Sequence, residues 1–216
     1  MRLLINTTAA IPYIKDHAAV LGYLMAPQKY SGPRLRGYIS ENIPVFSDND
    51  RFIGVNDALF EKFIPKLAFV RVYWLLVPDV VADCAGTLNN FIYWKEKIKH
   101  IPLAYALQDG QTEATVPWDN ICAVFLGGST AYKLSEDAMS LLYAAKKRGK
   151  YVHVGRVNTA NRIYLFQHIA DTIDGSSFSR FTNTLLPPIL PILAQIRKQR
   201  IVDGTHCTLE PRGVIT

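Results

Sequence analysis

The residues of this chain that could carry out chemistry lie directly after short apolar runs. Acidic residues, amides, glycines and an arginine occupy six such places: Asp48, Asp79, Gln108–Asp109–Gly110, Gly127–Gly128–Ser129, Gly155–Arg156 and Asp174–Gly175. Each place alone is also typical of an ordinary turn or helix cap. If the runs are parallel strands of one barrel, however, all six places meet at its carboxyl-terminal mouth, where barrel enzymes have their active sites.

Two carboxylates that converge from different strands suit chemistry at a glycosidic bond. One attacks the anomeric carbon, and the other transfers a proton to or from the departing or incoming group. A third carboxylate beside glycines and an amide suits a planar nucleobase. Its oxygens accept two N–H donors, and glycine backbone lets the ring approach closely. Composition and spacing permit this chemistry without proving it.

Eight apolar runs alternate with segments of helical period, which is typical of parallel βα units. The runs are LLINT (3–7), VLGYLM (20–25), IPVF (43–46), FVRVYWLLV (69–77), PLAYAL (102–107), ICAVFL (121–126), YVHV (151–154) and DTI (171–173). With 216 residues, the chain suits one domain with a sizeable core. We therefore predict an α/β fold, namely a single (β/α)₈ TIM-type barrel with shortened helices over residues 1–216.

Several of the intervening segments have clear helix signals. The segment from Ser135 to Arg148 begins with a serine and two acidic residues, ends with three basic residues, and precedes Gly149. This order matches the helix dipole and predicts a helix with Ser135 at its start. Asp83 is a predicted cap of another helix. From about residue 182, three prolines predict an irregular segment in which any helix is broken or begins late.

The composition is that of a globular, basic protein. Hydrophobic residues make up 49% and charged residues 19%, and the formal net charge is +6, which is compatible with a polyanionic partner. No apolar run is long enough for a membrane span. The three cysteines form no CxxC pair, so we expect a reducing, cytoplasmic location. The basic segment 28–42 reads equally well as a functional loop and as a solvated one.

At the strand-end residues the sequence resembles the tRNA-guanine transglycosylase superfamily. It is most similar to the small DpdA-like branch, phage or bacterial proteins that act in 7-deazaguanine modification of DNA. The matching stretches are FSDND (46–50), VPDVVADCAGTL (77–88), ALQDG (106–110), FLGGSTAYKLS (125–135), VHVGRVN (152–158) and DTIDGSSFSRF (171–181). They cover most of the chain between about residues 44 and 181, and the last four are the most specific. The first 40 residues match only loosely.

The resemblance implies a base-exchange glycosyltransferase that replaces guanine in DNA with a preQ0-like 7-deazaguanine. Asp174 corresponds to the nucleophile that attacks C1′ of the target nucleoside, and Asp48 corresponds to the general acid/base. The glycine-rich loop that follows the first aspartate in the family is replaced here by Asn49, Asp50 and Arg51. Asp50 is therefore a rival for the role of acid/base.

The resemblance also implies which residues hold the base and the nucleic acid. Asp79 would accept the guanine N1–H and exocyclic amine, while Gln108 and the backbone of Gly127 and Gly128 would complete the base pocket. We further predict two sets of contacts: His153 and Gly155 with the substrate, and Arg156, Arg180, Lys29, Arg34 and Arg36 with the nucleic acid. His153 is also interpreted as a hydrogen-bonded wall residue of the barrel.

We expect no cofactor and no metal. The tRNA-acting relatives carry a structural zinc held by clustered cysteines and a histidine. Here only His206 and Cys207 adjoin, and Cys84 and Cys122 lie elsewhere, so four tetrahedral ligands at the usual spacing are lacking. This departure favours DNA over tRNA as the partner.

Three alternatives stay open from the sequence. The first is a transglycosylase that acts on tRNA without the zinc site. The second is a non-catalytic barrel that binds nucleic acid or a partner enzyme. The third is a phosphate-binding barrel enzyme for small metabolites, with an anion at Gly127–Gly128 or Gly155–Arg156.

Overall fold

The computed structural model describes residues 1–29, 43–54, 56–67 and 70–205. Eight parallel strands close into a barrel in chain order, and the last strand pairs with the first. The strands are β1 (Arg2–Ile5), β2 (Leu21–Met25), β3 (Val45–Ser47), β4 (Val72–Leu76), β5 (Leu103–Leu107), β6 (Ala123–Leu126), β7 (Tyr151–Val154) and β8 (Thr172–Asp174). The predicted (β/α)₈ barrel is confirmed, and every strand begins and ends within three residues of its predicted run.

Helices connect the strands and pack outside them. The described α-helices are α1 (Ile11–Asp16), α2 (Asp57–Leu67), α3 (Cys84–Lys97), α4 (Thr130–Lys133), α5 (Glu136–Lys147), α6 (Ala160–Phe166), α7 (Ser176–Arg180) and α8 (Thr182–Val202). Short 3₁₀ turns lie at Thr8–Ala10, Pro27–Lys29, Arg51–Ile53, Glu113–Thr115 and Trp118–Asn120. The predicted caps are confirmed, because Asp83 accepts from the backbone of Gly86 and Ser135 from that of Ala138. None of the helices in the described part of the chain has the length and hydropathy to cross a bilayer.

The barrel interior is filled by side chains of very unequal size. Trp74 and Phe46 are fully buried there, with ring centroids 5.4 Å apart. Small residues, including Ala104 and Ala123, belong to the same cluster and leave room for the large rings, as close packing of a barrel core requires. The ring of Trp74 also contacts His153, at a centroid distance of 5.1 Å, so the packed core supports the mouth from below.

The carboxyl-terminal segment differs from the prediction. We expected an irregular stretch from about residue 182, but α8 runs unbroken through its three prolines. Its buried positions include Leu186, Ile189, Leu193 and Ile196, which form one stripe at helical spacing. The prolines are on the exposed side, where carbonyls that lose an N–H partner remain open to water. Burial of the stripe therefore outweighs the cost of the prolines.

The end of the barrel opposite the mouth is held by an ion-pair cluster at Asp171, the residue before β8. Its carboxylate accepts from Arg200 Nη2 at 2.8 Å, from Lys146 Nζ at 2.9 Å and from the backbone N–H of Val152 at 2.9 Å. Asp171 and Arg200 are 5% and 2% exposed, respectively. A buried carboxylate with two cations and a backbone donor is a fully partnered structural group.

Candidate active site

The mouth of the barrel brings together the three predicted carboxylates. Asp174 is the last residue of β8, Asp48 directly follows β3, and Asp79 lies shortly after β4. All three line one small cavity of about 160 Å³. The convergence follows from topology, because the carboxyl ends of all strands in a parallel barrel lie at one face.

Asp174 is held in a fixed orientation by two donors. His153 Nε2 lies 3.1 Å from its Oδ2, and the backbone N–H of Arg156 donates to its Oδ1 at 2.8 Å. Burial by itself raises the pKa of this carboxyl, but these two hydrogen bonds and the nearby charge of Lys133 lower the pKa by more. The net shift is downward, so Asp174 is an ionised carboxylate with its side chain 15% exposed.

His153 is a fully buried neutral imidazole. Its Nδ1 lies 2.8 Å from Thr172 Oγ1, and burial lowers its pKa. Because an ionised Asp174 can only accept, the ring carries its proton on Nε2 and accepts from the threonine hydroxyl. The predicted role as a hydrogen-bonded wall residue matches this geometry. His153 does not line either cavity at the mouth, so it acts on the site by orienting Asp174.

Asp48 has the opposite electrostatic character. Its Oδ1 accepts a single backbone hydrogen bond, from Asn49 at 2.7 Å. Burial, followed by the negative charges of Asp174 and Asp50, raises the pKa of Asp48 to about 8. At neutral pH this carboxyl carries a proton. Two neighbouring carboxyls whose pKa values are pushed apart are the usual arrangement of an acid beside a nucleophile.

The rival residue Asp50 also reaches the mouth. It is 7% exposed, has a left-handed backbone with φ of 57°, and lines the same cavities as Asp48. Its Oδ2 accepts from the backbone N–H of Gln28 at 3.0 Å, so the carboxylate is tied to the loop after β2. Asp50 therefore contributes negative charge beside Asp48 while serving a structural contact.

Asp79 is oriented by two side-chain amides. Asn49 Nδ2 donates to Oδ1 at 2.8 Å, and Gln108 Nε2 donates to Oδ2 at 2.5 Å. The carbonyl oxygen of the Gln108 side chain accepts from the backbone N–H of Ala82 at 2.9 Å, which fixes which end of the amide is the donor. Burial raises the pKa of Asp79, while the bond from Asn49 and the charge of Arg51 oppose that rise. Each oxygen keeps a second lone pair that can accept from a ligand.

The glycines at the mouth make room for neighbouring side chains. A Cβ on Gly127 would lie 2.7 Å from Gln108 Nε2, and one on Gly128 would lie 2.5 Å from Asp109 Oδ2. Asp109 in turn accepts from the backbone and hydroxyl of Ser129, at 2.8 and 2.5 Å. A Cβ on Gly155 would lie 2.7 Å from the ring of Phe125. Gly127 and Gly128 line the small cavity and Gly155 does not, so Gly155 serves the packing of the wall.

Arg156 occupies a strained position next to Asp174. Its φ is 61°, in the left-handed region that ordinary residues avoid, and its guanidinium donates to the carbonyl of Gly128. The same guanidinium lies 4.8 Å from the ring centroid of Phe52. Strain of this kind persists where the surroundings hold the residue in place and is common at functional sites. Here it points the backbone N–H of Arg156 at Asp174.

A second, larger cavity opens beside the small one. Its volume is about 630 Å³, within the range of ligand pockets, whereas the small cavity is below that range of roughly 300–1,000 Å³. Polar groups of the large cavity include Asn6, Thr7, Ser176, Ser179 and Arg180. Asp48, Asp50, Ile53 and Asp174 line both cavities. The two carboxyls with opposed pKa shifts therefore stand where a small compartment meets a larger one.

Some predicted residues lie elsewhere or outside the described part of the chain. Arg180 lines the large cavity and Arg156 lines the small one; their contact with nucleic acid stays a prediction. Arg34, Arg36 and the side chain of Lys29 are outside the described residues. So are His206 and Cys207. Within the described ranges, no group of three or more His, Cys, Asp or Glu side chains could hold a metal ion.

Two residues of the site were not predicted. Asn49 is 2% exposed and bridges the loop after β3 to Asp79 and to the carbonyl of Val77. Lys133, in α4, is 5% exposed, lines the small cavity and donates to the carbonyl of Gly155 at 2.7 Å. The sequence offered one signal for Lys133, its position within the matching stretch FLGGSTAYKLS, but no strand end marks it.

Comparison with known proteins supports the fold. The chain is similar to the crystal structure of KGPDC from Streptococcus mutans, with a TM-score of 0.60 and 11% identity over 92% of this chain and 97% of that one. It is also similar to dihydrodipicolinate synthase from Bacillus clausii, with a TM-score of 0.59 and 12% identity over 94% and 76% of the two chains. The sequence matches no protein-family model and no curated protein significantly. The chain is thus a (β/α)₈ barrel with a carboxylate-rich site at its carboxyl-terminal mouth.

Proposed function

We propose that this barrel is a base-exchange glycosyltransferase that replaces guanine in DNA with a 7-deazaguanine derivative. The proposal is carried by one observation: Asp48 and Asp174 line both cavities at the mouth and have opposed pKa shifts. A nucleoside has one small planar part and one larger, polar part, joined by the bond that must break. The small cavity suits the base, the large cavity suits the sugar and phosphates, and the carboxyls stand at the junction.

The first half of the reaction uses the charge states that the site already has. The ionised carboxylate of Asp174 attacks C1′, and the C1′–N9 bond breaks with its electron pair going to guanine. Protonated Asp48 gives its proton to the departing base. The products are free guanine and an ester between Asp174 and the sugar, as in retaining glycoside chemistry.

The second half reverses these roles. Asp48, now ionised, takes the N9 proton of the incoming 7-deazaguanine, and N9 attacks C1′. The ester bond breaks, and Asp174 leaves as a carboxylate. Nothing is hydrolysed, so the base in the small cavity has to exclude water from C1′ while the ester exists. Phe52, Leu76 and Phe125 line this cavity and supply apolar surface for a ring.

The base would be recognised along its Watson–Crick edge. Asp79 is held by Asn49 and Gln108 with lone pairs left on both oxygens, which suits a ligand with two adjacent N–H donors, such as guanine N1–H and its exocyclic amine. A duplex substrate must flip the target nucleotide out of the stack, at a cost of a few kcal/mol. The net charge of +6 and Arg180 at the large cavity favour a phosphate backbone there.

Exchange of labelled base tests this proposal. The protein is incubated with labelled guanine or preQ0 and either duplex DNA, single-stranded DNA or tRNA, and label in the polymer is counted. We expect label in DNA with wild type and none with Asp174→Asn. Label in tRNA alone would reject DNA as the substrate in favour of tRNA. No label in any polymer would reject base exchange.

A further inference from the structure

An exposed apolar rim lies at the mouth of the barrel. Phe52, Ile53 and Val81 are 65%, 53% and 43% exposed, respectively, and all three line the small cavity. Apolar side chains scattered singly over a surface are ordinary, but several gathered at one place indicate a surface that a partner covers. A cavity of about 160 Å³ is too small to bury all of this apolar surface around a base. The exchange mechanism therefore leaves the outer part of the rim without a role.

The turn that carries two of these side chains is braced at both ends. The 3₁₀ turn Arg51–Ile53 lies between Asp50 and Gly54, whose left-handed φ angles are 57° and 87°. The guanidinium of Arg51 pairs with the carboxylate of Asp57 at the start of the next helix. A turn that is already held in this way presents its apolar side chains with little ordering left to do when a partner arrives.

Ile53 stands where a target nucleotide would enter the site. Four of the described residues line both cavities, and Ile53 is the apolar one beside Asp48, Asp50 and Asp174. In the proposed function C1′ lies between Asp48 and Asp174, so Ile53 borders the sugar of the flipped nucleotide. About half of Ile53 is exposed there, so its outer part is available to the strand that the nucleotide has left.

Cationic groups flank the rim. The guanidinium of Arg156 lies 4.8 Å from the ring centroid of Phe52, and Arg180 lines the large cavity. A duplex offers phosphates on the outside and stacked apolar bases within, so it matches an apolar tip beside arginines. The formal net charge of +6 agrees in sign with such a partner. These charges favour a nucleic acid over an apolar protein surface as the partner of the rim.

We propose that Ile53 is a wedge that enters duplex DNA and fills the gap left in the base stack when the target guanine turns into the small cavity. This inference rests on the proposed function, because it assumes that a base occupies that cavity. Flipping unstacks and unpairs the guanine. An apolar side chain in the gap gives the neighbouring bases a new contact and keeps the guanine from returning. The wedge names double-stranded DNA as the substrate, while the bond changes at C1′ remain with Asp174 and Asp48.

The test compares one DNA sequence as a duplex and as a single strand. Initial rates of incorporation of labelled guanine are measured for both forms, and the readout is the ratio of the duplex rate to the single-strand rate, in which a loss common to both forms cancels. In Ile53→Ala we expect this ratio to fall by about tenfold or more, the effect of one isoleucine side chain that is no longer buried. Ile53→Leu keeps the apolar bulk and should retain most of the wild-type ratio.

Two controls separate a wedge from a general role in folding. Ile92 is 52% exposed and lies on α3, away from both cavities, so Ile92→Ala should leave the ratio unchanged. The second control is a duplex in which the target guanine faces thymine, because a mispaired base costs less to flip. On this duplex the deficit of Ile53→Ala should shrink, whereas a merely structural role of Ile53 would lower the rates on both duplexes equally. Ile53→Thr keeps the branched shape with a more polar tip, and it carries the test if Ile53→Ala is inactive on every substrate.

The failures of the two proposals are distinguishable. If wild type labels neither form of DNA, the proposed function is wrong. If wild type labels only single strands, or if Ile53→Ala and Ile53→Thr keep the wild-type ratio, base exchange stands and the wedge is overturned. Inactivity of both variants on single strands would overturn it as well, because Ile53 would then serve the site and not the duplex.

Discussion

The two ends of β8 each present an aspartate, and the two aspartates are built for different purposes. Asp171, before the strand, has its carboxylate neutralised by Arg200 and Lys146. Asp174, at the other end, is held by the neutral ring of His153 and a backbone N–H, and it faces two cavities. Only two residues lie between them in the chain. Full charge pairing fits a group that holds the barrel closed, whereas orientation without neutralisation fits a group that must react.

The neighbours of the two carboxylates differ in the same way. At the lower end, the partners of Asp171 come from α5 and α8, and they tie helices to the barrel. At the mouth, burial and the negative charge of Asp174 raise the pKa of another carboxyl, Asp48, to about 8. Like charges that lie close together lower the stability of the folded protein. Loops with only a structural role would not need such an arrangement of carboxyls.

The largest expected effect separates the two aspartates by activity. Asp174→Asn removes the nucleophile and should reduce base exchange by about 10⁴-fold or more. Asp171→Asn leaves the mouth intact, so exchange at a temperature where the variant is folded should stay within a few-fold of wild type. Both rates come from incorporation of labelled guanine into DNA. Equal losses in the two variants would break the distinction between the ends.

The second effect is on stability, for which we expect the opposite ranking: Asp171→Asn should cost more than Asp174→Asn. Asp171→Asn leaves Arg200 buried without its counter-charge, which should cost about 3–5 kcal/mol. For a chain of this size, Tm should then fall by roughly 2–4 °C for each kcal/mol. Thermal unfolding followed by circular dichroism measures this, with the exposed Asp119→Asn as control. A drop in Tm for Asp174→Asn as large as that for Asp171→Asn would contradict the account.

A third effect concerns pH and the acid role of Asp48. The first half-reaction needs Asp48 protonated and Asp174 ionised, so the rate of exchange should fall as pH rises above about 8. Asp50→Asn removes one of the charges that raise the pKa of Asp48, and the alkaline limb should move to lower pH. The pH profile of kcat/KM measures this. If the alkaline limb is absent in Asp48→Asn but keeps its wild-type position in Asp50→Asn, Asp48 is the acid. The charge of Asp50 then does not raise the pKa of Asp48.

The smallest effect is on stability at the mouth. The pKa of Asp48 is raised in the folded protein from an ordinary value of 3.8 to about 8, so the folded state holds this proton more tightly than the unfolded chain. This proton stabilises the folded state fully at acid pH, and the stabilisation is lost as pH rises through 8. Asp48→Asn cannot ionise and should therefore raise Tm at pH 8 by a few degrees, with less gain near pH 4. Asp119→Asn should show no such pH-dependent gain.

Much of the fold and the core of the site follow from sequence periodicity. The carboxyl ends of all strands in a parallel barrel lie at one face. The positions of the strands in the sequence are therefore enough to predict that Asp48, Asp79 and Asp174 lie together. The helix α8 does not follow from the sequence, because prolines locally disfavour a helix, whereas the buried stripe of α8 belongs to the main hydrophobic core. That packing is tertiary, and no local rule contains it.

The sequence does not predict two residues of the site, for a similar reason. Lys133 lies seven residues beyond the end of β6, and it is buried where its Nζ reaches the carbonyl of Gly155, directly after β7. Asn49 sits directly beside a predicted residue, but its value depends on a carboxylate thirty positions away. Side chains that act by bridging loops carry no periodic signal, so three-dimensional placement is needed to find them.

The central claim is that Asp174 becomes covalently joined to the sugar while Asp48 serves as the acid. The most direct measurement is mass spectrometry of peptides after the protein is mixed with guanine-containing DNA without incoming base and quenched with acid. We predict a deoxyribose ester on Asp174, in the peptide spanning 171–180, and no adduct in Asp174→Asn. A sugar adduct on another residue, or base exchange with none at all under trapping conditions, would contradict the account.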